Sequence, residues 1–347
     1  MSTKNRQSNM ELLRIFSMLC IVVYHILLFG LDAHHPEEPL YKSLQIPFHV
    51  GVPIFVMISG YFGIRFSLRG LFRLLGMAYI YAIVIELLSV VFFSAPLGSA
   101  IKSMLVIGTG RHWFLTTYLW LYLLSPIFNR YFTDLDSRRR LYLGFILFFM
   151  VFYCGHLMKG DPSLESGKNI INFLFLYYIG NTIHYYESHL ARIKWQILLL
   201  IYILFNSFVI WVGYEYQSTW QLPMIGNIWY RCFEYDSVGL YLNSILVFLL
   251  FSRLHFSSGI VNNIASSVFT MYLISVSFIW DTVRDISVWM SDTLDSPYFV
   301  IVASLILAIA FMIFSVIVDK LFSPLWRVLT NAGELIDKRY GISARLR

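Results

Sequence analysis

Arg14 and His25 stand inside the first long apolar run of the chain, Met10-Glu11-Leu12-Leu13-Arg14-Ile15-Phe16-Ser17-Met18-Leu19-Cys20-Ile21-Val22-Val23-Tyr24-His25. Arginine offers a permanently charged planar fork suited to phosphate or carboxylate, and histidine takes and returns a proton near neutral pH. The pair reads as an anion grip and a general base. If the run is helical, the spacing of eleven at about 100° per residue returns both side chains to nearly one face, roughly 16 Å apart along the axis. One wall of a pocket can then carry both. Charge at this depth in lipid is costly unless it faces protein or a water-filled cavity, so the pair is an expected functional site. The plainer readings are snorkelling of Arg14 to the headgroups and an interhelical hydrogen bond from His25.

Other polar residues have a possible chemistry and a bland alternative. Arg65, Arg69 and Arg73 recur at four-residue spacing, which on a helical turn makes a comb suited to phosphates; ordinary basic flanking of a span is the alternative. Arg111, His112 and Trp113 open a further apolar segment, where Trp commonly anchors at the interface but an aromatic face beside Arg and His also suits an acceptor site. His49 is placed to join them. Glu86, inside the third apolar segment, needs a cationic partner such as Arg14, or else orients a substrate hydroxyl. Arg138, Arg139 and Arg140, beside Asp134 and Asp136, read as a solvated charge cluster. His34, His35, His184, His189 and His255 fall at segment ends and read as surface or interface residues. The three cysteines, Cys20, Cys154 and Cys232, lack paired or metal-like spacing, so neither a disulfide framework nor a metal site is expected. No Gly-rich phosphate loop, His-Glu-x-x-His or nucleophile elbow is found, which leaves ATPase, zinc-protease and serine-hydrolase readings without support.

The elements that must position these residues are membrane helices. Of 347 residues, 58% are hydrophobic and 13% charged, and the apolar residues come in long blocks instead of amphipathic stripes. An all-α, polytopic membrane protein of about ten spans is expected, at 12–31, 46–64, 72–94, 113–131, 141–158, 170–186, 195–213, 238–254, 262–282 and 298–318. Ile101 to Thr109 is too short to span and reads as an interfacial or re-entrant piece. Eighteen of the 26 Lys and Arg residues fall in one alternating set of connections, and seven (Lys42, Lys102, Arg111, Lys159, Lys168, Arg231, Arg284) in the other. Basic residues are retained in the cytoplasm, so both termini are expected there. The net charge of +6 needs only this asymmetry and anionic lipid, not nucleic acid. The first apolar run lacks a small-residue cleavage site and reads as a retained helix, not a signal peptide. One membrane domain, 1–330, and a short basic cytoplasmic tail, 331–347, are expected, without the inverted repeat of many secondary transporters.

The sequence resembles the membrane acyltransferase-3 family, whose first helix carries Arg, ten residues, then His, as Arg14 and His25 do. The resemblance extends to Pro53-Ile54-Phe55-Val56-Met57-Ile58-Ser59-Gly60-Tyr61-Phe62, and to His112-Trp113-Phe114-Leu115 with Tyr118 and Leu123-Leu124-Ser125-Pro126. It holds more loosely at Tyr177-Tyr178-Ile179-Gly180 and at Phe269-Thr270-Met271-Tyr272-Leu273-Ile274. Many relatives have His after that last motif where this chain has Ser275, and many carry an appended extracellular hydrolase-like domain that is not seen here. The membrane domain is therefore expected to handle the substrate alone.

The resemblance implies a bacterial plasma-membrane O-acyltransferase that takes an acetyl or other short acyl group from acyl-CoA, as donor substrate and not as a bound cofactor, to a hydroxyl of a cell-surface glycan or its precursor. His25 and Arg14 are then the catalytic pair, Arg65, Arg69 and Arg73 hold the phosphates of acyl-CoA, and Trp113, His112, Arg111 and Glu86 form the acceptor side. Direct transfer with His25 as base and a covalent acyl-histidine both fit. Membrane lipids and polysaccharide-assembly proteins are the expected partners. The rival readings are a transporter of a glycan or acylated metabolite, with Arg14 and His25 as anchors, and a non-catalytic member of an assembly complex.

Overall fold

A computed structural model describes residues 7–35, 38–93, 97–108, 110–158, 163–215, 234–277, 279–294 and 296–345. Lys159, Arg231, Cys232 and Thr109, named above, lie outside that set. The described residues form helices and no strand. In lipid the backbone has no water to bond, and a helix satisfies its own N–H and C=O groups within the segment.

Among the described residues, six helical stretches are long and apolar enough to cross a membrane: Ser8–Asp32, Leu40–Phe62, Leu68–Phe92, Ser137–Leu157, Trp195–Glu215 and Pro297–Tyr340. They contain α1 (Ser8–Leu27), α2 (Gly51–Phe62), α3 (Leu68–Phe93), α5 (Ser137–Phe148), α7 (Trp195–Glu215) and α12 (Pro297–Tyr340). Between them lie α4 (Trp113–Thr133), α6 (Ile170–Tyr185), α8 (Val238–Ser252), α9 (Gly259–Ala265), α10 (Val268–Ser275) and α11 (Ile279–Thr293). The sequence expectation of ten spans departs from this in specific places. Helices α6 and α8 have 16 and 15 residues, below the roughly 20 that span a hydrocarbon core. The segment expected at 262–282 is not one helix: it breaks at Ser266–Ser267 and again after Ser275. Helix α4 has the length, 21 residues, but its Trp, Tyr and Thr content dilutes its apolar character.

Helix α1 is central. Its Met10, Leu13 and Cys20 join one apolar cluster with residues of α2, α6 and α8. Its Ile15, Met18, Val22, Val23, Ile26 and Leu27 join a second, with α3, α10 and α12. Lipid is as apolar as these side chains, so close packing, more than escape from solvent, drives the association. The tightest crossing is α2 on α6. A Cβ added at Gly60 would fall on the Tyr177 carbonyl oxygen, and one at Gly180 on that of Met57. These are the glycines of the Ser-Gly and Ile-Gly motifs, and here they let two backbones touch.

The break between α9 and α10 is held by α12. Asp319 is 4% exposed and accepts from Ser267 Oγ at 2.7 Å, Thr270 Oγ1 at 2.7 Å and Trp326 Nε1 at 3.0 Å. Three donors, one from the break, one from α10 and one from α12 itself, thus compensate a buried carboxylate. At 44 residues, α12 is about 66 Å long, twice the roughly 30 Å of a hydrocarbon core. It runs without interruption through 330–331 and ends at Gly341, in the left-handed region at φ 62°. Its last turns and the short helix after it pack on the start of α3: Glu334 lies 3.7 Å from Arg69, and beyond Gly341 Ser343 Oγ accepts from Leu68 N at 3.1 Å.

Candidate functional site

A cavity of about 610 Å³ opens between the two apolar clusters. Arg14, Met18, Ile21, His25 and Leu28 of the first membrane stretch all line it. Their spacing of four, three, four and three residues is that of one helix face. Arg14 and His25 therefore share a wall, as their spacing predicted.

At the Arg14 end, the guanidinium lies 3.2 Å from both carboxylate oxygens of Glu11, one turn earlier. Glu11 is buried and Arg14 half-buried, so the carboxylate offsets the charge while part of the fork faces the cavity. Across the cavity, Ser59 donates to the Phe55 carbonyl at 3.1 Å. The serine proton is thereby used, so Tyr118 is the donor in its 3.1 Å bond with Ser59.

His25 is the other polar group on this wall. Its Nδ1 lies 2.8 Å from the Ile21 carbonyl oxygen. A carbonyl only accepts, so Nδ1 carries a proton and the neutral ring has its lone pair on Nε2. Tyr235 and Trp113, with ring centroids 5.3 Å apart, continue the wall; His49 does not line the cavity and packs behind it, edge-on to Tyr235 at 4.6 Å and stacked on Tyr24 at 4.4 Å. Lys168 Nζ lies 5.6 Å from the Trp113 ring centroid, within cation–π range.

The far edge carries the second ion pair. Arg111 donates to Glu86 Oε1 at 2.9 Å and to Ser103 Oγ at 3.0 Å. Arg111 and Trp113 line the cavity. Glu86 is buried behind Arg111 and does not line it, so it pairs with Arg111 and not with Arg14. His112 is buried and does not line the cavity, and its Nδ1 has no hydrogen-bond partner. Burial, reinforced by the adjacent Arg111 charge, pushes the His112 imidazole down to about 4.

Two arginine readings change. Arg65 lies in the non-helical stretch before α3, so only Arg69 and Arg73 share a helix, and the comb of three does not form. All three are exposed, and none lines the cavity. Arg140 is not solvated: it is buried and donates to Asn181 Oδ1 at 2.7 Å and to the Phe132 carbonyl at 3.1 Å, with its fork 4.3 Å from the Tyr185 ring centroid. Its side chain fastens α5 to α6, which the run of three arginines hides.

Residues that sequence reasoning missed include Tyr235, which lines the cavity from the segment before α8, and Asp319, which fixes the broken helix whose Ser266, Phe269, Tyr272 and Ser275 also line it. The signal for Asp319 was an acid at the end of a highly apolar run. Tyr235 gave none. Ser275 donates to the Tyr272 carbonyl at 2.8 Å, so its hydroxyl proton is committed to the backbone.

Fold and site together define a multi-pass helical membrane protein with a charge-ended cavity and a histidine of fixed tautomer on its central helix. The chain belongs to the acyltransferase-3 family: the family model, an acyltransferase domain, matches residues 7–318 of 347. It is accordingly a membrane acyltransferase. No curated protein and no solved structure matches it.

Proposed function

We propose that this protein moves an acetyl or other short acyl group from acyl-CoA to a hydroxyl of a cell-surface glycan or its precursor, in a bacterial plasma membrane. The observation that carries the reading is that Arg14, His25, Arg111 and Trp113 line one cavity. Donor and acceptor then meet in a single chamber, and orientation supplies much of the acceleration.

In this reading the basic face of the chain, with both termini, is cytoplasmic. Acyl-CoA enters there, its phosphates met by Arg69, Arg73 and Arg65, and its pantetheine arm passes Arg14 toward His25. The acceptor lies against Trp113, whose ring suits the face of a sugar, with Arg111 held for it by Glu86. His25 Nε2 takes the hydroxyl proton as that oxygen attacks the thioester carbonyl; the C–S bond breaks, and the imidazolium returns the proton to the departing thiolate. General-base catalysis of this kind contributes about 10²- to 10⁴-fold.

The test is acetyl-CoA turnover by the purified protein in lipid nanodiscs with candidate glycans, comparing the parent with Arg14→Ala and His25→Gln. Thiol release and acylated product that vanish in both variants support the reading. A folded parent that binds no acyl-CoA overturns it in favour of transport.

A further inference from the structure

Away from the cavity, His156, Glu234 and Asp236 bring their ligand-capable atoms within 4.8 Å of one another. His156 sits in the wide turn Phe149–Leu157 that ends the α5 stretch, and the two acids stand in the segment leading into α8. His156 Nδ1 is 2.9 Å from Asp236 Oδ1 and 3.3 Å from Glu234 Oε2. Nitrogen and oxygen ligands about 2.0–2.2 Å from a tetrahedral zinc ion lie about 3.4 Å apart. Both carboxylates already stand near that spacing from His156 Nδ1.

Burial and charge point the same way. Asp236 is wholly buried, and its Oδ2 accepts no hydrogen bond. A carboxylate wholly buried with one oxygen unmet is costly without a cation beside it. Lys42 lies within electrostatic reach of Glu234, on the more exposed side of the cluster.

The acidic segment is also held in place beforehand. Gly167, at φ 67°, packs so closely that an added Cβ would lie 2.7 Å from Asp236 N. Asn172 Nδ2 donates to the Gly167 and Tyr235 carbonyls at 2.7 and 3.0 Å, and Tyr241 donates to Asn172 Oδ1 at 2.7 Å. This supporting shell orients the peptide between Tyr235 and Asp236.

We propose that His156 Nδ1 and the carboxylates of Asp236 and Glu234 hold a divalent transition-metal ion, Zn²⁺ first, which pins Tyr235 against Trp113 and His49 at the cavity wall. One imidazole and two carboxylates without thiolate suit Zn²⁺ or Mn²⁺. Eighty residues separate His156 from Asp236, so no sequence spacing announces the site. Ligation at Nδ1 needs that nitrogen without its hydrogen, so the neutral ring then carries its hydrogen on Nε2.

The experiment is metal retention by the full chain in nanodiscs, stripped with chelator and then dialysed against Zn²⁺, with Mn²⁺ in parallel. The parent is expected to retain about one ion per chain and to gain in thermal midpoint when Zn²⁺ is added. His156→Gln and Asp236→Asn should bind at least about tenfold more weakly and show no such gain. Glu234→Gln, at the less buried position, carries the comparison if the Asp236 variant does not fold. Equal retention by parent and variants, or none by the parent, overturns the site and leaves an ion-paired cluster. Metal content and midpoint are read without acyl transfer, so this test is independent of the proposed reaction.

Discussion

His25 Nδ1 is held 2.8 Å from the carbonyl oxygen of Ile21, one turn earlier on the same helix. That backbone bond sets the tautomer and leaves the opposite nitrogen as the basic one. Neither packing nor a second side chain is required for it, which is economical in a lipid-embedded helix. A His25→Gln variant keeps comparable bulk and loses the base. Turnover should fall by about 10²- to 10⁴-fold with membrane insertion and thermal midpoint near the parent's; turnover near the parental rate would remove His25 from the chemistry.

Arg111 and Glu86 form a pair in which the acid is buried and the base about one-third exposed. Arg111→Gln leaves a buried carboxylate without its guanidinium, so it should lower the thermal midpoint more than the double variant Arg111→Gln/Glu86→Gln. The coupling expected in a double-mutant cycle is about 0.5–3 kcal/mol, in the lower half because solvent screens the exposed guanidinium. Additive effects would show that the contact contributes nothing.

Gly60 and Gly180 let α2 and α6 touch backbone to backbone. A methyl at either must push the helices apart and disturb Tyr177, whose hydroxyl accepts from Ile64 N at 2.8 Å and donates to Asn129 at 2.5 Å. Gly60→Ala and Gly180→Ala should each destabilise by about 1–3 kcal/mol or more, the range for overpacking. Thermal unfolding in detergent reads this directly.

Asp319 collects three donors at the break between α9 and α10. Asp319→Ala strands all three, at about 1–3 kcal/mol for each buried donor left unmet. Protease sensitivity within 259–277 and a lowered midpoint are the expected outcomes, milder in Asp319→Asn, which keeps one acceptor oxygen.

His112 supplies a pH dependence. Its imidazole is held down to about 4 from an ordinary 6.5, so between those values the unfolded chain binds the proton and the folded one does not. Stability from this group is complete above about 6.5 and falls as the pH drops toward 4. The midpoint of the parent should therefore decline more steeply than that of His112→Asn over this window. Parallel slopes would show that His112 titrates alike in both states.

The shared face of Arg14 and His25 was readable because a helix repeats every 3.6 residues and both groups lie on one helix; local geometry needs no knowledge of the neighbours. The same holds for the membrane class, since lipid imposes long apolar helices whatever the partners. Where local rules met tertiary contacts, the reading changed. Arg140 looked like its solvated neighbours until Asn181 and the Phe132 carbonyl surrounded it. The span expected at 262–282 looked continuous, but Asp319, from a helix some fifty residues further on, stabilises a break there.

By itself, then, the sequence determined that the chain lives in a bilayer, which face of its first helix carries charge, and which family it belongs to. Tertiary structure alone decided that Arg111, and not Arg14, partners Glu86, that Tyr235 completes the cavity wall, and that His156 meets Asp236. The division has one physical cause. Periodicity and hydropathy are properties of adjacent residues, whereas ion pairs, cavities and candidate metal sites depend on which helices pack together, and that is settled by close-fitting glycines and buried polar contacts far apart in the chain.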